Sequence, residues 1–392
     1  MTLPSDFIES LQYLHPKQIL EQLRAEDRPK GAQCWSITNE IKPVNLYCYL
    51  KVRFGPPNGI QNFLRGNHSD NLVHWNWTFK YGAGLVDIQG TNYRTDVWLI
   101  GPLELSSDDR EDFVCQVKAD FASFGAKMKN CRNSLEHWIE FVNPYQRIRR
   151  SVSQLSEELR SLELDKLSEL PNVLESEDKE TASRCWDEAA RKFNRGFGLC
   201  FGIRSMLPIM AEAFINLILY LLMRPEIKSD QRLKENAFKQ PIDVRVKSLS
   251  LNCKGFKHPI DYSNSVCGRY HSVVNERNDL LHGNVNIGKL KFNEVYFHGT
   301  VPVFKTYRSM WQRSLGVEGQ AVGMDKVSEE LAIIDDFIIY VLSCLDDKVR
   351  PNIEYMLSRL ELGLNTSEDR LGVLFSERLV DSMAGSSSDE SV

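Results

Sequence analysis

Between residues 33 and 100 the hydrophobic positions recur at every second residue. In VNLYCYLKVRF, Val44, Leu46, Cys48, Leu50, Val52 and Phe54 alternate with Asn45, Tyr47, Tyr49, Lys51 and Arg53. In VHWNWTFKY, Val73, Trp75, Trp77, Phe79 and Tyr81 alternate with His74, Asn76, Thr78 and Lys80. A period of two with one polar face predicts half-buried antiparallel strands. YGAG follows as a turn signal, and LVDIQG and YRTDVWLIG read as further strands. Near Ser107 the spacing changes: Phe113, Val117, Phe121, Phe124 and Met128 stand three or four apart, the period of a helix. Residues 1–150 therefore read as an α+β domain, expected to sense, recruit or restrain.

Residues 151–180 differ. Leu155, Leu159, Leu162 and Leu167 support a helix, but LESEDKE is a polar acidic run, so this segment reads as an acidic linker. From 181 the period is mainly helical, with Thr181 as a candidate N-cap and an apolar helix over 206–223. A basic loop follows, then a helix over Ser263–His282. A hairpin is expected at 293–307, and a further helix from about Asp325, with Leu331, Ile334, Ile338, Leu342 and Leu345 on one face. Residues 181–350 thus form a helical bundle with a β-hairpin insertion. Residues 351–392 read as a C-terminal helix and an acidic Ser-rich tail, AGSSSDESV, with the composition of a disordered segment; LGVLFSERLV before it is apolar enough to dock. The fold class is α+β, an antiparallel sheet with helices followed by a mainly α bundle.

Composition narrows the function. Hydrophobic residues make up 42 % of the 392, enough for a core in each half. The formal charge of −5 argues against coating long nucleic acids without specificity, which needs a broad excess of Lys and Arg. The nine cysteines form no Cys-x-x-Cys pair and suit free thiols in a reducing cytoplasm. The first twenty residues lack the basic start and apolar block of a signal peptide. The 206–223 run carries Pro208, Glu212 and Asn216, so it reads as a buried helix rather than a membrane span. No Gly-rich phosphate loop, His-Glu-x-x-His or Gly-x-Ser-x-Gly is present.

One stretch, ERNDLLHGNVN at 276–286, carries candidate chemistry. At about 100° per residue, Val266, Tyr270, Val273, Val274 and Leu281 form an apolar stripe, and Arg277 falls inside it. His271, Asn275, Asn278 and His282 lie on a neighbouring polar side. Gly283 would end the helix, placing His282 in the last turn, where the helix dipole favours imidazolium. A charge within an apolar stripe must be paired or lie at an interface. Glu212, the only acid in the preceding apolar run, is a candidate partner. An Arg–Glu bridge between helices, with His282 as a cap residue, accounts for the pattern structurally; a reactive cluster accounts for it functionally.

RNDLLHG also resembles the signature of the HEPN superfamily, in which Arg, a polar residue and, after a short gap, His close a long helix. AEAFINLILYLL resembles the preceding apolar helix of that family. The resemblance covers roughly 181–350 and leaves the hairpin as an insertion. It implies a helical bundle paired about a two-fold axis and, for many members, endoribonuclease activity needing no metal or cofactor. Carried onto this chain, His282 would be the acid/base, Arg277 would stabilise phosphoryl oxygens and Asn278 would orient the histidine or touch the phosphate. A homodimer would build one composite cleft from two copies. Such proteins are often toxins or antiviral defence effectors.

The basic residues near this helix are Arg245, Lys247, Lys254, Lys257 and His258 before it and Lys289 and Lys291 after it. They would guide RNA phosphates, or form a solvated basic loop. The Trp75, Trp77, Phe79 and Tyr81 stripe would stack bases or fill a sheet core. Cys267 and His271 stand four apart, with no second pair to complete a metal site. The expected activity is a cytoplasmic RNA endonuclease, with a regulatory ligand or protein at the N-terminal domain. The alternative is a catalytically silent interaction or nucleotide-binding module.

Overall fold

The computed structural model describes residues 3–24, 31–67, 69–103, 105–106, 108–164 and 178–375. The AGSSSDESV tail, Ser107, Leu167 and most of the acidic run lie outside them. The chain divides into two units, residues 1–140 with 363–369 and 373–392, and residues 141–362 with 370–372.

The first unit is built on a five-stranded antiparallel sheet. Its strands are β1 (Gln12–Tyr13), β2 (Ala32–Ile37), β3 (Trp75–Tyr81), β4 (Gly84–Gly90) and β5 (Thr95–Ile100), in the order β1-β3-β4-β5-β2. The β3–β4 hairpin turns on Gly82 and Ala83, as the Tyr-Gly-Ala-Gly signal requires, with Tyr81 opposite Gly84. Trp77, Phe79, Val86, Ile88, Val97 and Leu99 form a core with two helices, α1 (Pro43–Phe54) and α2 (Asp109–Asn133). The aromatic stripe is therefore core.

Two expectations fail here. VNLYCYLKVRF is the helix α1, not a strand. Its buried residues include Leu46, Tyr49 and Leu50, a helical triplet that the every-second-residue pattern concealed, and Pro43 sits in its first turn, where the missing N–H costs nothing. Packing settles the choice, because Tyr49 meets Phe121 and Phe124 of α2 and donates to Asp120 at 2.5 Å. The polar face of β3 is also not solvated except at Lys80. Asn76 is 1 % exposed. It donates to Asp87 at 3.0 Å, and the Asn58 amide bridges Leu14 and Thr78 carbonyls at 2.7 and 2.8 Å. Every buried polar group in such a layer needs a partner, and these supply one another.

The second unit is mainly helical, and it begins before the expected boundary. Apart from this unit's helices, the chain forms a three-stranded sheet, β10-β9-β6, of β6 (Trp138–Val142), β9 (Glu361–Asn365) and β10 (Arg370–Gly372), which does not fall within one unit. Helix α3 (Pro144–Ser161) is capped by Asn143, whose side chain accepts from the Tyr145 and Gln146 amides. It packs along α4 (Lys179–Leu222), so residues 151–161 belong to the bundle rather than to a linker. Helix α4 joins what the sequence suggested were two helices and carries Pro208 in its interior. Its N-cap is Asp178, which accepts from the Thr181 amide, so Thr181 lies inside the first turn. By length and composition α4 could cross a membrane, yet more than half of its most apolar stretch is buried in this unit.

Against α4 pack α5 (Ile242–Asn252), α6 (Ser265–His282), α7 (Leu315–Val322) and α8 (Val327–Ser343). Helix α9 (Arg350–Ser358) follows. Tyr270 of α6 stacks on Phe337 of α8, with ring centroids 4.0 Å apart and planes 11° apart. The hairpin expected at 293–307 is present as β7 (Val295–His298) and β8 (Val301–Phe304). All nine cysteines are free.

Candidate functional site

Helix α6 presents the motif on its last two turns. Asn264 caps its start, accepting from the Val266 amide, and Gly283 ends it with φ +61°. That left-handed conformation disfavours side chains with a Cβ, so the glycine stops the helix one residue past His282. The His282 side chain is exposed in the last turn.

Arg277 continues the stripe of Tyr270 and Val273 and is half-buried. Its Nε is buried with no hydrogen-bond partner among the described residues, and the Tyr270 hydroxyl is likewise unpartnered. Burial pushes the Tyr270 phenol above its ordinary range, with Arg277 and Arg245 among the charges opposing that rise. Asn278 is half-buried and, one turn on, shares a side of the helix with His282. The three motif residues thus occupy adjoining sides of one helix end.

The expected partner of Arg277 is not Glu212. Glu212 accepts from Arg245, whose other nitrogens donate to Asn216 at 2.6 Å and to the Gln240 carbonyl at 2.8 Å. Arg245 is only 7 % exposed, so it cannot serve as an RNA-binding residue as expected. Its segment looked like a basic loop but is α5, whose Val246 and Leu249 are buried and draw Arg245 inward.

The lysines stay at the surface. Lys247 pairs with Asp243 at 3.2 Å and lies 4.6 Å from the Tyr262 ring centre. Lys257 pairs with Asp347 at 3.0 Å, Lys289 with Asp279 at 2.6 Å, and Lys291 with Glu294. Lys254 is exposed. Exposed pairs of this kind are worth about 0–1 kcal/mol, so a phosphate could displace them at little cost.

A second charged cluster was missed. Arg204 of α4 and Glu330 of α8 are each 5 % exposed. Arg204 donates through Nε to Glu330 at 2.8 Å, through Nη1 to the Val322 carbonyl at 2.7 Å and through Nη2 to Glu276 at 2.9 Å. Burial opposes the Arg204 charge, but the two carboxylates outweigh it and raise the guanidinium above its usual range. Burial also opposes the Glu276 charge; Lys326 and Arg204 outweigh it and lower that carboxyl. Arg204, Glu276, Asp279, Asn284, Lys289 and Lys326 line a cavity of about 260 Å³. The signal was available, since Arg204 interrupts an apolar run just as Arg277 does. This cavity lies on the side of α6 that carries Glu276, Asp279 and Gly283, away from Asn278 and His282. No group of three or more His, Cys, Asp or Glu side chains suited to a metal occurs among the described residues.

Comparison of the chain with protein-family models, with characterised proteins and with solved structures finds no match.

Proposed function

We propose that the chain is a HEPN-type endoribonuclease that works as a homodimer in a reducing cytoplasm. The observation that carries this reading is Arg277. A permanently charged side chain on a core-facing stripe, with a buried N–H and no acceptor, is costly unless something outside the chain completes it. A phosphate beside the half-buried guanidinium would offset its charge, and His282 lies five residues on, at the exposed end of the same helix.

The chemistry follows from RNA itself. His282 in its neutral form takes the proton from a ribose 2′-hydroxyl, and the freed oxygen attacks the adjacent phosphorus. Arg277 offsets charge building on the phosphoryl oxygens. The bond to the 5′-oxygen breaks, and that oxygen takes a proton from the imidazolium of a second His282, supplied by the other subunit. The products carry a 2′,3′-cyclic phosphate and a 5′-hydroxyl. Asn278, on the side of His282, orients the ring or holds the phosphate. Lys247, Lys254, Lys257, Lys289 and Lys291 supply a displaceable basic surface. The first unit would restrain or recruit, and a role as a toxin or defence effector fits this arrangement.

The test is incubation of the purified full chain with mixed RNA in the presence of EDTA, with end-group analysis. Cleavage leaving cyclic phosphate supports the reading. Intact RNA under all conditions leaves a silent interaction module as the better one.

A further inference from the structure

The β7–β8 ribbon carries apolar side chains on both faces, and only Phe304, under Arg313, is covered. Seven of its eight positions are exposed, Phe297 at 68 % and Tyr296 at 60 %. An isolated two-stranded ribbon is at best marginally stable in water. Its register pairs Val295 with Phe304, Tyr296 with Val303, Phe297 with Pro302 and His298 with Val301. The Lys305 amide donates to the Glu294 carbonyl at 3.0 Å, which marks 294–305 as a hydrogen-bonded pair. Pair types alternate along an antiparallel ladder, so Tyr296 and His298 also bond inward. Val295 and Phe297 on β7, and Pro302 and Phe304 on β8, direct their backbone groups outward. Proline has no N–H, so Pro302 blunts the β8 edge. The β7 edge keeps both N–H and C=O groups of Val295 and Phe297 free for a partner.

We propose that β7 pairs antiparallel with β7 of a second copy of this chain, about a two-fold axis at Tyr296, forming a four-stranded sheet. The strand is complementary to itself in this register. With Tyr296 opposite Tyr296 of the partner subunit, Val295 faces Phe297 of the partner subunit as a hydrogen-bonded pair. All four outward groups of each strand are then satisfied. The same register sets His298 opposite Glu294 of the partner subunit, in the closer, non-hydrogen-bonded type of pair. Lys291 and Lys305 hold the Glu294 carboxyl at about 2, so it is charged across the neutral range. An unrelated strand could satisfy the same backbone groups, but a second copy also sets the His298 imidazole opposite the Glu294 carboxylate twice, at positions fixed by symmetry. This inference does not rest on the endoribonuclease reading.

The experiment uses the full chain in sedimentation at micromolar concentration, with mild oxidation of single-cysteine additions in parallel. Directly opposed residues in such a pair have Cβ atoms about 4.5–5.5 Å apart, near disulfide reach. Tyr296→Cys should therefore give a cross-linked dimer absent from the parent chain, and Thr300→Cys at the turn should not. Phe297→Pro removes an outward donor at an exposed position and should weaken dimerisation at least tenfold. Glu294→Lys and His298→Glu should each weaken it, and the double variant should restore it. A monomeric parent chain, no Tyr296→Cys cross-link, or a Phe297→Pro dimer of unchanged affinity each overturns the proposal. In the last case a dimer through α6 still stands, and RNA cleavage is scored separately.

Discussion

Arg277→Met should make the protein more stable and inactive together. Methionine keeps the unbranched stem that lies along the Tyr270 and Val273 stripe and removes the buried Nε that lacks an acceptor. An unsatisfied buried N–H costs about 1–3 kcal/mol. Arg277 is only half-buried, so the lower end applies and the gain should be about 1 kcal/mol. For a unit of this size that raises the melting temperature by about 2–4 °C. Removing the charge should lower RNA cleavage by about a hundredfold to a thousandfold, the usual effect of losing one donor to a developing oxyanion. Differential scanning calorimetry and a gel-based cleavage assay, run on the same preparations, read both quantities. A loss of about 3 kcal/mol or more would show Arg277 to be a structural brace with a partner. Retained cleavage in a folded variant would remove it from the chemistry.

Three further outcomes follow from the geometry. Glu330→Ala leaves the buried Arg204 charge only its part-exposed partner Glu276 and should cost about 3 kcal/mol in chemical denaturation, the lower end for breaking a buried pair. Glu276 has a folded pKa below its unfolded value of 4.5, so its contribution is present above that pH and lost as pH falls through the folded value. Acid denaturation followed by circular dichroism should therefore be flatter in that range for Glu276→Gln, and an unchanged profile would contradict the pairing. Lys254→Ala should weaken RNA binding about equally for all sequences and reduce the salt slope by about one, as fluorescence anisotropy at several salt concentrations will read; sequence-selective loss would contradict a phosphate contact.

Local rules were legible where one signal dominated. Gly283 ended α6 where expected and its start lies within two residues of the expected one, and the Tyr-Gly-Ala-Gly turn and the 293–307 hairpin appear where the pattern put them. Reading failed where two periods coexist. The 44–54 run satisfies both an alternation and a helical triplet, and only its packing on α2 decides between them. Charge pairing was also hidden, because it depends on which helices meet. Arg245 reaches Glu212 from α5, a helix that its basic composition disguised as a loop, and this leaves Arg277 without the carboxylate expected for it. Strands β9 and β10 lie where a helix and tail were expected, and so short a pair takes its identity from β6 rather than from its own period. The motif itself was visible as residue types, whereas the unpartnered state of Arg277 required the fold.

The most direct test of the ribonuclease reading is His282→Ala assayed beside the parent chain on mixed RNA in EDTA. His282 is exposed in the last turn of α6, so its removal opens no core cavity and should change stability by about 1 kcal/mol or less. Loss of a general acid/base should slow cleavage by about a hundredfold or more. The account predicts a parent chain that yields 2′,3′-cyclic phosphate ends without metal and a folded His282→Ala chain that does not. Equal cleavage by the two, or cleavage that EDTA abolishes, would contradict it.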